Sequence, residues 1–501
     1  MEFIGTFWAL APSIIAITLA LITKEVYSSL FIGILAGALL YTGFSPVGTL
    51  DTIVNDGFIG GLADPWNAGI MLFLVILGIL VALINQAGGS EAFGRWASRN
   101  IKSRVGIMLA TFIFGVLIFV DDYFNCLTVG SVMRPLSDNQ RISRAKLAFL
   151  IDATAAPICM IAPISSWAAA VSGVVDESVY SGIELFIRAI PYNFYSILTI
   201  VFIITMIFMK LDYGPMAMYE KRARETGELG VLEGASSETA KHGKGRVMDL
   251  ILPIALLIVF CVLGMIYVGG FFNGVGFVSA FGGTDASVGL PWGALVALVI
   301  TIIYFICRRV MTFKEAMACV PKGFVAMVPA LLILTFAITL KNMTGLLGAA
   351  DYVAGVMKGA ALGLTRMLPA IIFLVACGLA FATGTSWGTF GILIPIVTAV
   401  FPPTSQLMII GVSACLAGAV CGDHCSPISD TTIMASAGAQ CDHVTHVSTQ
   451  LPYALTVAVI SFICYVITGF IQNALVGLVV GSILIIGTLF CIRALSTRKA
   501  R

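Results

Sequence analysis

The chain has 501 residues, 59% of them hydrophobic and 11% charged, where soluble domains carry about 25% charged residues. With a mean hydropathy of +1.02 it cannot clothe a water-facing surface, and lipid is its solvent. A net charge of +2 excludes the broad basic field that draws nucleic acid, and no stretch could form a soluble catalytic domain, so neither a nucleic-acid partner nor an enzyme is expected.

In chain order, apolar segments fall near 7–22, 28–44, 69–86, 185–209, 250–268, 290–307, 324–342, 451–471 and 475–493, each close to the roughly 20 residues a bilayer requires. The first lacks a basic leading region and a small-residue cleavage site, so it reads as a membrane helix and not as a signal peptide. Four further segments, 104–136, 147–175, 366–400 and 407–437, are apolar but interrupted by Gly, Pro, Asp, Asn, Ser or Thr. The stretch 211–248, with Lys221, Arg222, Arg224, Glu225, Glu228, Glu233, Lys241, Lys244 and Arg246, reads as a cytoplasmic linker. Most of the twelve Cys lie inside apolar runs, as Cys126, Cys159, Cys261 and Cys377 do, which is the usage of free thiols and not of a disulfide framework.

The chain repeats itself. Gly57-Phe58 has a counterpart in Gly323-Phe324, Pro163-Ile164-Ser165 in Pro427-Ile428-Ser429, and Pro191-Tyr192 in Pro452-Tyr453, at offsets of 261 to 266 residues. Three matches in order at nearly one offset point to duplication. The halves read as inverted. Loop 45–68 has Asp51, Asp56 and Asp64 but no Lys or Arg, while its counterpart 308–323 has Arg308, Arg309, Lys314 and Lys322. The positive-inside rule puts the first outside and the second in the cytoplasm. Basic residues also flank segment 104–136 at both ends, so it enters and leaves on one side as a re-entrant hairpin with its tip at 120–125. Segment 147–175 then crosses, broken between Pro157 and Pro163. The second half repeats the pattern, with a hairpin tip at Thr383 to Gly388 and a break at Gly422 to Pro427.

The expected fold is therefore an all-α polytopic membrane protein of about 11 spanning helices. It has two inverted repeats, each with a re-entrant helical hairpin and a broken transmembrane helix. The repeats cover 1–210 and 249–471, followed by an extra C-terminal helix and basic tail at 472–501. Non-helical backbone at membrane depth is tolerated only in protein or along a cavity. Paired breaks in two inverted halves converge on a midplane binding site.

The candidate ion- or substrate-binding residues sit at these breaks. Asp121 and Asp122, with Asn125 beside them, suit a hard cation that prefers oxygen ligands, or they cap the second hairpin helix. Asp152 lies in an apolar run, as a coupling-ion ligand or as a charge neutralised by Lys146. The run 422–432 crowds Asp423, His424, Ser426, Ser429, Asp430 and Thr431 around Pro427. It reads as a Na⁺ cage of side-chain and freed carbonyl oxygens, or as a hydrogen-bonded kink. Ser165 and Ser166 are its first-half counterparts. Thr383, Thr385 and Ser386 offer hydroxyls and amides to a carboxylate or to a cation's shell. Asp121, Asp423 and Asp430 are the leading Na⁺ ligands. His443 and His446 read as a loop at the membrane surface with a pH-sensing or structural role, since their spacing fits no zinc-finger pattern. Lys341 either snorkels to the interface or is the counter-ion of a site carboxylate.

The runs GDHCSPISDTT (422–432) and GAQCDHVTHVSTQLPYAL (438–455), with FVDDYFNCLTVGSVMRPLSD (119–138), resemble the NhaC-type sodium/proton antiporter family, part of a broader ion transporter superfamily. The resemblance spans most of the chain. It implies inverted repeats with hairpins and elevator-like movement, and it fixes the coupling ion better than the cargo, because similar proteins include Na⁺/H⁺ exchangers, malate/lactate exchangers and amino-acid carriers. The leading expectation is Na⁺/H⁺ antiport across the cytoplasmic membrane by alternating access. The alternatives are a Na⁺- or H⁺-coupled carrier of a small organic anion or amino acid and, behind it, an ion channel. Na⁺ and H⁺ are the expected coupling ions, with no other cofactor. The expected partners are the lipid bilayer, Na⁺, H⁺ and a small organic solute, with a homodimer as a further expectation.

Overall fold

The computed structural model describes residues 3–23, 26–89, 92, 101, 103–119, 122–162, 165, 167–168, 171, 182–232, 245–282, 284–349, 351–352, 365–402 and 405–499. These residues are mostly helical, joined by turns and short irregular segments, with one isolated antiparallel bridge between Val231 and Cys441. The longer helices are α1 (Ala11–Thr23), α2 (Val26–Thr42), α3 (Pro65–Gln86), α4 (Arg104–Leu117), α5 (Asp122–Asn139), α6 (Arg144–Asp152), α7 (Phe194–Met209), α8 (Gly214–Glu225), α9 (Met248–Val268), α10 (Ala286–Cys307), α11 (Phe313–Leu346), α12 (Leu368–Thr383), α13 (Ser386–Val400), α14 (Gln406–Cys425), α15 (Asp430–Ala439), α16 (His443–Ile471) and α17 (Ala474–Lys499). Among the described residues, seven helical stretches are long and apolar enough to cross a membrane. The protein is an all-α, multi-pass membrane protein.

Local chemistry moves several boundaries away from those read in the sequence. Segment 185–209 is not one span. Pro191 sits in a 3-10 turn after the short helix Gly182–Ala189, and Asn193 restarts the chain as α7 by accepting from Ser196 N at 3.2 Å. The basic stretch expected as loop 308–323 is largely helix, because Thr312 and Glu315 form a capping box that starts α11 well before residue 324. The first part of the stretch read as a linker is α8, and it is packed: Glu220 is 1% exposed. Glu220 accepts from Ser143 N at 2.8 Å and pairs with Arg104, which ties α8 to the starts of α4 and α6.

Lipid offers no hydrophobic drive between helices, so small residues that let backbones approach decide the packing. α3 and α11 meet at Gly78 and Gly323, where a Cβ on Gly78 would lie 2.5 Å from the Gly323 carbonyl oxygen. α12 meets α14 at Gly418 and Gly422, where a Cβ would lie 2.4 Å from Phe373 O and 2.2 Å from Cys377 O. α14 is buried on every face, from Leu407 through Cys425. A helix of that pattern belongs inside the bundle and not against lipid.

Two helix–turn–helix pairs, α4 with α5 and α12 with α13, flank two interrupted helices. The first interruption separates α6 from the short helix Ala156–Cys159, and the second separates α14 from α15.

Candidate functional site

Pro427 cannot continue α14, and the chain on either side of it is extended: Ser426 has φ −89° and ψ 128°, and Ser429 has φ −71° and ψ 135°. Ser429 then caps α15 by accepting from Thr432 N at 3.3 Å. The polar groups freed by the break are claimed one by one. Ser426 Oγ donates to Phe381 O at 2.9 Å, which fixes the break to α12. His443 Nε2 lies 2.6 Å from Pro427 O, and Thr432 Oγ1 donates to Asp423 O at 3.2 Å. The tip between α12 and α13 presses on the same place. Gly384 has φ +67°, and a Cβ there would lie 2.4 Å from Ile428 O, so both conformation and space demand glycine.

Asp423 lies inside this junction and is 1% exposed. Its Oδ2 accepts from Ser386 Oγ at 2.5 Å and from Thr431 Oγ1 at 3.3 Å. Its Oδ1 is buried without a hydrogen-bond partner. Ser429 Oγ lies 3.1 Å from Thr431 Oγ1. Asp430, on the rim, accepts from Thr431 N at 2.9 Å and from the Tyr123 hydroxyl. The arrangement gathers two carboxylates and the hydroxyls of Ser386, Ser429 and Thr431, and among the described residues no Lys or Arg forms an ion pair with either carboxylate. That donor set is all oxygen, which suits a hard cation. Among the described residues no group of three or more His, Cys, Asp or Glu side chains is arranged to hold a metal ion.

Asp430, Thr383, Thr385, Tyr123 and Lys341 line a cavity of about 90 Å³. Lys341, Thr383 and Thr385 also line a neighbouring cavity of about 590 Å³ that reaches Asn55 and Asp56. Thr385 caps α13 by accepting from Gly388 N at 3.2 Å, and Thr383 Oγ1 bonds back to Leu379 O at 2.8 Å. The Lys341 ammonium has no ion-pair or hydrogen-bond partner among the described residues.

The first half contributes less directly. Asp121 and Ser166 lie outside the described residues. Asp122 is fully buried and accepts from Trp167 Nε1 at 3.1 Å and from the amide of the next residue, Tyr123 N, at 3.2 Å. Asn125 turns its amide nitrogen to the carbonyls of Gly115 at 2.7 Å, Ile118 at 2.9 Å and Thr154 at 3.1 Å, so it ties the first hairpin to the first interruption. Ser165 Oγ donates to Cys159 O at 2.7 Å and stitches its own turn. What reaches the second half is Tyr123. α5 crosses α15 where Gly130 faces Gly438, and a Cβ on Gly130 would lie 2.4 Å from the Gly438 carbonyl carbon. That approach brings Cys126 Sγ to 3.7 Å from Thr431 O and the Tyr123 hydroxyl to Asp430. Trp167 and Trp387 complete the contact, with ring centroids 5.8 Å apart.

Asp152 belongs to a second buried cluster. Lys146 does not neutralise it, since its ammonium is held 2.5 Å from Asp212. Instead Asp152 Oδ2 accepts from Gln450 Nε2 at 2.6 Å and lies 3.2 Å from His446 Nε2, while His424 Nε2 is 3.9 Å from Oδ1. Tyr195 OH lies 3.1 Å from His424 Nδ1. His443 and His446, expected in a surface loop, are buried in the first turns of α16, which Asp442 caps by accepting from Thr445 N at 2.8 Å. Sequence reasoning missed Tyr123, Tyr195 and Gln450. For Gln450 a signal was present, because His446 and Gln450 stand one turn apart on one helix face.

Residues 161–470 match the family model described as the Na⁺/H⁺ antiporter family. The chain belongs to the Na⁺/H⁺ antiporter family. It is thereby a secondary transporter. The match takes in every residue of the Asp423 cluster except Tyr123. A Haemophilus influenzae protein, described as uncharacterised, is 35% identical over 512 residues, covering 98% of this chain and 96% of its own length. The malate-2H⁺/Na⁺-lactate antiporter of Bacillus subtilis is 33% identical over 115 residues, 22% of this chain and 25% of that one. Among solved structures, Neisseria gonorrhoeae MtrF, from a class of antimetabolite efflux pumps, aligns over 93% of this chain and 96% of its own with a TM-score of 0.36 and 13% identity.

Proposed function

We propose that this antiporter-family member exchanges Na⁺ for H⁺ across the cytoplasmic membrane by alternating access. The observation that carries this reading is Asp423, a carboxylate with one oxygen held by two hydroxyls and the other bare in a buried, oxygen-lined junction. A buried carboxylate costs several kcal/mol unless its charge is answered. Na⁺ answers it through Oδ1, the hydroxyls of Ser386, Ser429 and Thr431 and the second carboxylate of Asp430. A proton answers it by neutralising the carboxyl. One carboxylate cannot hold both, so occupancy alternates between the ions as the site alternates between the two sides. The repeated pattern of hairpin and interrupted helix supports two inverted repeats and an elevator-like movement.

A second reading is Na⁺-coupled exchange of a small organic anion. It is favoured by Lys341, whose ammonium has no ion-pair partner among the described residues and which lines both cavities, the smaller one together with Asp430. The larger cavity, about 590 Å³, falls in the range of roughly 300–1,000 Å³ typical of small-molecule sites. The named activity of the Bacillus subtilis relative includes such anions.

Proteoliposomes given an inward Na⁺ gradient separate the two readings. The expected result is alkalinisation of the lumen without added solute, lost in Asp423→Asn while that variant remains folded. Proton movement that requires an added carboxylate, and that is lost in Lys341→Gln, establishes the second reading in place of the first.

A further inference from the structure

We propose that Asp152 and His446 form a proton-binding site of their own, distinct from the carboxylates assigned to Na⁺. Three observations carry it. First, the cluster is sealed: Asp152 and His446 are 0% exposed, and Gln450 is 1% exposed. Second, the cluster is short of protons. Asp152 Oδ1, His446 Nδ1, Gln450 Oε1 and His424 Nε2 are all buried without a hydrogen-bond partner, whereas buried polar groups are normally satisfied. Third, the cluster joins the two halves, with the carboxylate on α6 and the imidazole and amide on α16, and the His446–Asp152 contact spans 294 residues.

The proton bookkeeping is simple. Gln450 Nε2 can only donate, so it takes one position on Asp152 Oδ2. His446 donates to the same oxygen through Nε2–H, which leaves Nδ1 as a bare acceptor. In that state the cluster carries one uncompensated negative charge, that of Asp152. One added proton on the bare His446 Nδ1 removes the net charge, leaving an imidazolium beside the carboxylate that balances it. The titratable groups that face Asp152 are His424 and Cys425 from α14 and its end, His443 and His446 from α16, Tyr195 from α7 and Asp423 across the junction. None of them is a Lys or Arg, and Lys146 on the same helix is spent on Asp212. A proton is therefore the charge that this pocket can take up. Asp152 and His446 touch none of the oxygens that surround Asp423 Oδ1, so their proton is additional to the one that competes with Na⁺.

The test counts protons and Na⁺ separately on the purified full chain in nanodiscs. Proton uptake is measured in Na⁺-free buffer as the pH is lowered stepwise. Binding of radioactive Na⁺ is measured in parallel. Asp152→Asn is expected to take up one proton fewer per chain than wild type, with Na⁺ affinity changed by less than about threefold, well under one tenfold step of 1.4 kcal/mol. His446→Gln, which keeps a donor in place of Nε2–H but has nothing in place of Nδ1, is expected to show the same lost proton, and it carries the test if Asp152→Asn does not fold. Wild-type proton uptake in both variants overturns the proposal, as does loss of Na⁺ binding in Asp152→Asn. Asp423→Asn is measured alongside. Retained Na⁺ binding there counts against the Na⁺ assignment of Asp423 and leaves the proton count at Asp152 to stand by itself.

Discussion

The Tyr123 hydroxyl donates to Asp430 across 307 residues of sequence, joining the start of α5 in the first half to the start of α15 in the second. The first hairpin therefore reaches the Asp423–Asp430 junction of the second half through a neutral phenol, while the carboxylate beside it, Asp122, is engaged by Trp167. Asp430 owes part of its orientation to a side chain that lies outside the family-matched region.

Tyr123→Phe removes that donor and keeps the ring. A hydrogen bond to a charged group contributes about 1.5–3 kcal/mol, so the Na⁺ concentration for half-maximal flux is expected to rise at least tenfold or so. Flux into proteoliposomes over a Na⁺ series measures it, and an unchanged half-maximal concentration removes Tyr123 from the site.

The proposed competition between H⁺ and Na⁺ for Asp423 sets the sign of the expected pH response. Lower pH protonates the carboxylate and inhibits Na⁺ entry. Where Na⁺ is well above its dissociation constant, each tenfold rise in Na⁺ is expected to move the half-inhibition point down by about one pH unit, since the two ions compete for one site. A half-inhibition pH that ignores Na⁺ would place the inhibiting proton away from Asp423.

Gly384→Ala puts a Cβ 2.4 Å from Ile428 O at a φ of +67°. The left-handed backbone alone costs an L-residue about 1–2 kcal/mol, and the clash adds to it. Thermal unfolding in detergent should fall by several degrees and Na⁺-driven flux should be lost. A fully active, equally stable variant would mean that the tip does not press on the break.

Lys146→Met strips the partner from Asp212 in a pair that also engages Tyr453 at 3.1 Å and Arg224 at 3.1 Å. Breaking one side of a buried pair costs roughly 3–5 kcal/mol, and Arg224 should recover part of that. A fall in thermal stability that Asp212→Asn partly reverses in the double variant is the expected result. Additive losses in the two variants would show that the pair is not coupled.

The sequence displays what local chemistry controls. Pro427 after Ser426 marks a break wherever it falls, and the run Thr383 to Gly388 announces a turn, so both are readable. The partners of the charged groups were not. Asp152 has Lys146 six residues away, yet it is met by His446 and Gln450, 294 and 298 residues distant. A single sequence carries no trace of which distant helix will face a carboxylate. The two histidines were misplaced for a related reason: Asp442 starts α16 earlier than hydropathy suggests, because a cap is a matter of one side chain and one backbone amide. The part played by Asn125 was hidden too, since composition cannot say which end of an amide points at a neighbour.

The glycine contacts have a mechanical consequence. Gly384 rests on Ile428, and Gly130 rests on Gly438, each with no room for a methyl group between the backbones. Surfaces meshed that tightly do not glide. In the proposed alternating access, the second hairpin's tip, the broken segment and the long arm of the first hairpin are expected to shift together as one piece. Any sliding surface in such a movement is expected along larger, smoother side chains elsewhere.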